Sequence, residues 1–459
     1  TQARFDAHAW YLEGISPAKN PAMWHEALWP HLAARSRPGA RAATFTVAGA
    51  VRRGLANAGF TVEKKPGHGR KRERLEACYQ PAAHPKTIAS SSHPKLAIIG
   101  AGIAGACLAA ALTARGARVS VCDQTAGLAE GTSGNPLALV MPRLDAADTV
   151  QARLLVDAYL HAQAFYEGRP GVSRTETVHR PRDEAERIRF EKMLADPPLG
   201  LDQLEALPNG GLFHKRSLVI EPALLLPALL RGIDVNRATR TVLDPDAKTV
   251  NGQAYDIVLL ANGWEMQVQV PELGLVGRLG QIEWLTSDIE APASAIAAGP
   301  YAIAAGRTRL WGATFEHHRG GTPQISAAAQ AENRRSLEQL APYWSQEAEK
   351  QVPISRAGIR ATTADRLPVI GAWPDTDALS SDRHQLERAA WRIEDDKYEK
   401  VGLYLAGGFG SRGFTWAPWA ASILRARIFD DPIPAHADAL RAVVPNRHFL
   451  RGMKRRQPE

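Results

Sequence analysis

The sequence predicts an α/β fold in which a doubly wound parallel sheet carries an inserted, mostly antiparallel sheet, the whole preceded by a partial α/β piece. Three stretches predict it. Residues 95–123, KLAIIGAGIAGACLAAALTARGARVSVCD, run from a short apolar strand through glycines into a helix and out to a second apolar strand. Residues 255–263, YDIVLLANG, read as another buried strand ending in a small-residue turn, and residues 402–421, GLYLAGGFGSRGFTWAPWAA, repeat the order of strand, glycine turn and helix. Short apolar runs of this kind suit strands buried on both faces, and helices between them impose a parallel order.

The first stretch carries the chemistry. Its strand, 96–99, stops at Gly100, Gly102 and Gly105, spaced G-x-G-x-x-G. Missing side chains let the turn close, let the backbone approach a pyrophosphate and let the next helix sit on its strand, while the helix N-terminus offers free N–H groups to the anion. A helix is expected over 103–115, stopped by Gly116. The strand 118–122 ends in Asp123, where this unit places an acid against the ribose hydroxyls of an adenosine. Dinucleotide binding follows; the pattern alone does not choose between FAD and NAD.

Composition bounds the rest. A chain of 459 residues holds more than one core, with 45% hydrophobic and 23% charged residues, ordinary globular values. No apolar run reaches membrane-spanning length, and the three cysteines, Cys78, Cys107 and Cys122, show no paired or metal-ligand spacing, nor do the fourteen histidines. No membrane, no metal and a reducing, cytoplasmic setting are expected. The net charge of +8 permits a polyanionic partner, and the runs 64–74 (KKPGHGRKRER) and 446–456 (NRHFLRGMKRR) concentrate that charge.

Along the chain, residues 1–79 read as strand 7–12, helix 21–34, strand 40–45, helix 48–58 and strand 60–64, an alternation that implies a small parallel sheet needing further strands. Residues 80–95, rich in Pro, Ser and Ala, read as a linker. Beyond the dinucleotide unit come helices at 146–166 and 183–195 and a buried helix at 218–230. Antiparallel strands are expected between 277 and 314, a helix at 334–344, and a helix from Pro418 to Ile428.

The words AWYLEGISPAKNPAMW and ATFTVAGAVRRGLANAGFTVEKKPGHGRKRE, with the C-terminal PNRHFLRGMKRR, resemble the bifunctional tRNA 5-methylaminomethyl-2-thiouridine biosynthesis family. In that family the first segment carries Asp-Gly-Phe-x-Pro-x-x-Asn-Pro in a Rossmann-like, S-adenosylmethionine-dependent methyltransferase domain, the Asp serving methyl transfer. Glu13 stands at that position here. The family's glycine loop for S-adenosylmethionine precedes the matched segment, so the expectation is an N-terminally truncated methyltransferase piece over 1–79 without methyl transfer of its own.

Residues 96–459 resemble the FAD-dependent glycine oxidase and D-amino-acid oxidase flavoproteins. The resemblance implies FAD-binding parts at about 96–165, 215–265 and 355–430 and a substrate subdomain at about 270–350. It makes Ser133, Gly134 and Asn135 in the loop GTSGNP, and the glycines Gly407, Gly408 and Gly410, cofactor contacts. It makes Arg360, in RAGIR, and Arg412, after the last glycine turn, the holders of a substrate carboxylate, a task for which a guanidinium is suited. The implied reaction is oxidative removal of the carboxymethyl group from 5-carboxymethylaminomethyl-uridine in tRNA, with no acid–base pair required. An FAD-dependent oxidase of free amines or amino acids, and a non-catalytic tRNA-binding flavoprotein, remain open alternatives.

Overall fold

The computed structural model describes residues 7–449 apart from 14–16, 18, 27, 34, 68–71, 81–92, 129, 239, 289, 291–293, 319 and 389–395. The linker expected at 80–95 therefore lies mostly outside the described residues. The chain divides into two compact units, one formed by residues 1–92 with 426–433, the other by 93–425 with 434–459.

The first unit is a four-stranded sheet in the order Ala7–Tyr11, Ser36–Thr44, Glu73–Tyr79, Phe60–Pro66. Only the first pair is parallel; the other two are antiparallel, which corrects the expected parallel sheet. The missing strand is ERLEACY, whose charges conceal an alternation that puts Leu75 and Ala77 into a core with Trp29, Leu32, Val51, Leu55 and Phe60. The basic run 64–74 is thus the two sides of a hairpin, with Lys64 3.0 Å from Glu73 and Arg74 2.6 Å from Glu76. The helix expected at 21–34 is two pieces, a 3-10 turn Pro21–Trp24 and the helix Leu28–Ala33. Pro30 lacks an N–H and fits only a first helical turn, so the helix restarts just before it.

In the second unit a six-stranded sheet runs Asp234–Asn236, Arg118–Cys122, Lys95–Ile99, Ile257–Leu260, Glu399–Gly407, Val369–Pro374. All neighbours are parallel except the last pair. Its strands are apolar on both faces because helices and loops cover both, and Leu96, Ile98, Val258 and Leu405 are wholly buried. The helix Ile103–Ala114 packs on it by a near-continuous run of small and apolar residues.

The second sheet has ten strands and draws on more of the chain than the expected 270–350: Ala138–Val140, Val172–His179, Leu204–Ala206 and Leu212–Ile220 join Val276–Thr286, Ser294–Ala297, Tyr301–Ala305, Thr308–Gly312, Glu316–His317 and Ile354–Thr362. Three helix expectations shift. Leu218–Ile220 finishes a strand and the helix is Pro222–Leu229. Ala327–Leu340 and Pro342–Lys350 replace a single helix at 334–344, the first capped by Ser326 and the second opened by Pro342. The last long helix begins at Gly413, not Pro418, because burying Trp416 and Trp419 outweighs the proline penalty.

Candidate active site

The strands Lys95–Ile99, Ile257–Leu260 and Glu399–Gly407 end at one cavity of about 1200 Å³, on the side where an open parallel sheet binds its ligand. The glycine turn forms its floor for geometric reasons. Gly100 has φ +109°, and a Cβ there would stand 2.6 Å from the Ala261 carbonyl oxygen. At Gly105 a Cβ would stand 1.8 Å from the Gly100 oxygen, so this glycine permits the helix to rest on the strand and does not itself line the cavity. Asp123 fastens the turn: Oδ2 accepts the Ala101 N–H at 2.6 Å, and Oδ1 accepts the Thr125 N–H and hydroxyl.

Ser133 reaches the same helix N-terminus, its Oγ accepting the Ile103 N–H at 3.0 Å, and Gly102 leaves it room. Ser133 and Asn135 line the cavity; Gly134 instead closes the short turn Thr132–Gly134 through its N–H to Gly131. What holds this loop comes from residues more than two hundred positions away and leaves no local pattern. Thr132 Oγ1 donates to the Ile359 carbonyl at 2.7 Å, and the Arg356 guanidinium donates to the Gly131 and Glu130 carbonyls at 2.8 and 2.5 Å. On the far wall Gly407, Gly408 and Gly410 line the cavity, the last two at positive φ. The cradle fits FAD: the glycine turn and the N-terminus of the helix Ile103–Ala114 open on the cavity, and Asn262 on the wall has a buried Oδ1 without a partner among the described residues.

Arg360 and Arg412 line the same cavity. Arg360 donates from Nη1 to the Thr314 carbonyl at 3.1 Å, and burial lowers its pKa. Its guanidinium occupies space that only a glycine leaves: a Cβ on Gly280 would stand 2.3 Å from Arg360 Cζ. Burial, with the nearby charge of Arg143, lowers Arg412 to about 10. Among the described residues neither the Arg412 nor the Arg143 side chain has an ion pair or a hydrogen bond. Two cations on one cavity, each raising the cost of the other's charge, make the entry of an anion favourable. Two other cavity arginines, Arg182 and Arg189, both bind Glu186. Burial pushes that carboxyl up, but the Arg182 hydrogen bonds and the two charges bring it down to about 2.

The cavity wall also carries His179, which burial lowers to about 4 and so keeps neutral at pH 7; it stands 3.4 Å from His214. His317 is exposed on the strand Glu316–His317, and His318 meets the Trp264 indole edge-on at 5.7 Å. Glu13 belongs to the first unit, exposed just after the strand Ala7–Tyr11. In that unit Gly54 serves packing: a Cβ would stand 2.1 Å from the Trp29 indole nitrogen. Of the C-terminal basic run 446–456, residues 450–456 lie outside the described residues; at its start Asn446, Arg447 and His448 are buried, and Arg447 pairs with Asp365 at 2.9 Å. Among the described residues there is no cluster able to hold a metal ion and no helix long and apolar enough to cross a membrane.

A glycine turn of the dinucleotide-binding kind opening onto an antiparallel sheet is the architecture of an FAD-dependent oxidoreductase, and the family model of that description matches residues 95–427. Solved structures agree in fold: iminodiacetate oxidase from Chelativorans sp. BNC1 (TM-score 0.58, 20% identity, 76% of this chain and 98% of that one) and glycine oxidase from Geobacillus kaustophilus (0.56, 18%, 75% and 98%). Residues 1–80 match an S-adenosyl-L-methionine-dependent methyltransferase model. The tRNA 5-methylaminomethyl-2-thiouridine biosynthesis bifunctional protein MnmC of Caulobacter sp. (strain K31) is 37% identical over 97% of this chain and 72% of its own length; that of Ectopseudomonas mendocina is 32% identical over 99% and 75%. The chain belongs to this bifunctional family, whose two cofactors are FAD and S-adenosylmethionine.

Proposed function

We propose that this chain removes the carboxymethyl group of 5-carboxymethylaminomethyl-(2-thio)uridine at the tRNA wobble position, leaving 5-aminomethyl-(2-thio)uridine. The observation that carries the reading is Arg412, half-buried and without an ion pair or hydrogen bond among the described residues, on the cavity that holds the glycine cradle and Arg360. The modified arm has a carboxylate and an amine flanking one CH₂. Arg360 and Arg412 bind the carboxylate, and the cavity walls exclude water and fix which CH₂ hydrogen faces the ring site. FAD, when bound, accepts the hydride equivalent from that CH₂. The substrate C–N single bond becomes C=N with loss of the amine proton, and water then cleaves the imine to the 5-aminomethyl nucleoside and glyoxylate.

No side chain is asked to act as a general base; the neutral amine supplies its own electron pair. His179, kept neutral, adds no third positive charge beside Arg412. Gly100, Gly102, Gly105, Asp123, Ser133, Gly134, Asn135, Gly407, Gly408 and Gly410 shape or fasten the cofactor cradle, and orientation is the main contribution of the protein. No step is routed through S-adenosylmethionine.

The test is to incubate the flavin-loaded protein with tRNA carrying the carboxymethylaminomethyl nucleoside, with and without S-adenosylmethionine, and to digest to nucleosides for mass spectrometry. The expected result is 5-aminomethyl product with glyoxylate in equal amount. An unchanged nucleoside on a protein that oxidises free N-alkylglycines would replace this reading with the free-amine oxidase.

A further inference from the structure

Phe315 is 57% exposed at the cavity, in the turn between the strands Thr308–Gly312 and Glu316–His317. A large apolar ring so placed contributes little to the core, and its neighbours are cations. Arg278 Cζ lies 5.4 Å and Arg360 Cζ 6.0 Å from the ring centroid. The two arginines are register partners across the antiparallel pair of Val276–Thr286 with Ile354–Thr362, which puts them on one face of the sheet. Among the described residues the Arg278 guanidinium has no ion pair and no hydrogen bond. An exposed aromatic ring beside guanidinium groups is a surface on which a nucleobase stacks.

We propose that Phe315, with Arg278 beside it, is the platform that stacks the modified uracil ring, so that the site recognises the base as well as its carboxymethyl arm. The inference rests on the function proposed above. Distance decides which base is meant. From the carboxylate carbon to the ring there are four bonds of about 1.5 Å, roughly 5 Å end to end when extended. A carboxylate held by Arg360 therefore delivers its own uracil to Phe315, since guanidinium and phenyl ring are 6.0 Å apart; a neighbouring nucleotide would lie beyond.

The experiment compares Phe315→Leu and Phe315→Tyr with the parent protein on two substrates: tRNA carrying the carboxymethylaminomethyl uridine, and N-ethylglycine, which has the same amine and carboxylate without a ring. One base–aromatic stack corresponds to a fold-change of about 5 to 150, from about 1–3 kcal/mol at 1.4 kcal/mol per tenfold. Phe315→Leu is expected to lower the ratio of kcat/KM on tRNA to that on N-ethylglycine by that factor, and Phe315→Tyr to restore it. The slope of tRNA affinity against salt stays constant, because no phosphate contact is removed. Equal losses on both substrates, an unchanged ratio, or a reduced salt slope would each overturn the platform. A parent protein that oxidises N-ethylglycine but not the tRNA overturns the functional reading, and is recognised before any variant is made.

Discussion

Replacing Gly280 by alanine tests whether the position of the Arg360 guanidinium matters. The added methyl would stand 2.3 Å from Cζ and 2.4 Å from both terminal nitrogens. Ordinary contact begins near 3.4 Å, so the guanidinium must retreat by about 1 Å (3.4 − 2.3). A displacement of about 1 Å in a positioning group costs on the order of 100-fold in rate, or about 2.7 kcal/mol of transition-state stabilisation. The backbone does not resist, because the obstructed group is the end of a flexible side chain and Gly280 does not need positive φ. Alanine also suits a strand better than glycine. The expected outcome is kcat/KM down about 100-fold on any carboxylate-bearing substrate, flavin content unchanged and Tm within a degree or two. In an Arg360→Met background the same change should add almost nothing, since both act through one group. Full activity in Gly280→Ala, or equal further loss in the double variant, would refute the placement of Arg360 at the substrate carboxylate.

Three further outcomes follow from the same geometry. Arg412→Met should lower kcat/KM by roughly 100- to 1000-fold, as loss of one partner of a desolvated charge pair does, yet leave the substrate-free protein as thermally stable as before, because no ion pair or hydrogen bond of its side chain among the described residues is lost; thermal melts with and without substrate check both halves. Gly105→Ala should abolish flavin binding and lower Tm, since its Cβ would meet a backbone oxygen at 1.8 Å that no side-chain movement relieves; flavin absorbance of the purified protein reads the result. For Asp365, burial pushes the carboxyl up, but the Arg447 hydrogen bonds and charge dominate and hold it well below the usual range. A depressed folded-state pKa means stability present above the unfolded value near about 4 and lost as pH falls. Arg447→Met should therefore cost about 3–5 kcal/mol near neutral pH, shrinking on acidification, as denaturant melts across the acid range would show.

What the sequence made legible was the chemistry written in consecutive residues. Gly100, Gly102, Gly105 and Asp123 act within one strand–turn–helix unit, so their spacing predicts their geometry, and the helix Ile103–Ala114 and strand Arg118–Cys122 fall within a residue of expectation. Contacts between distant residues left no such trace. Arg356 reaches carbonyls 225 and 226 residues away, Arg447 reaches Asp365 across 82, and Gly280 makes room for Arg360 on the neighbouring strand. Charge alone misled at Arg447, since composition cannot say whether an arginine faces water or a buried carboxylate. The strand Glu73–Tyr79 was hidden for the same reason: its outward charges masked the inward Leu75 and Ala77.

The pairing state of each arginine separates structure from function. Arg447 has Asp365, Arg182 and Arg189 share Glu186, and Arg356 is spent on two loop carbonyls. Each of these solves a local problem of burial, and each should be silent toward ligand. Arg412 solves none: desolvation lowers it to about 10 and the nearby charge of Arg143 adds to the effect. Below that value it stays charged, so a substrate carboxylate entering the cavity meets a half-buried, partly dehydrated cation, and binding pushes the pKa back up. Substrate affinity should accordingly hold from neutral pH to about 9 and fall as pH rises through about 10 in the parent protein, while Arg412→Met shows weak binding without that fall. A KM profile flat through pH 10 would remove Arg412 from the carboxylate site and leave the task to Arg360 alone.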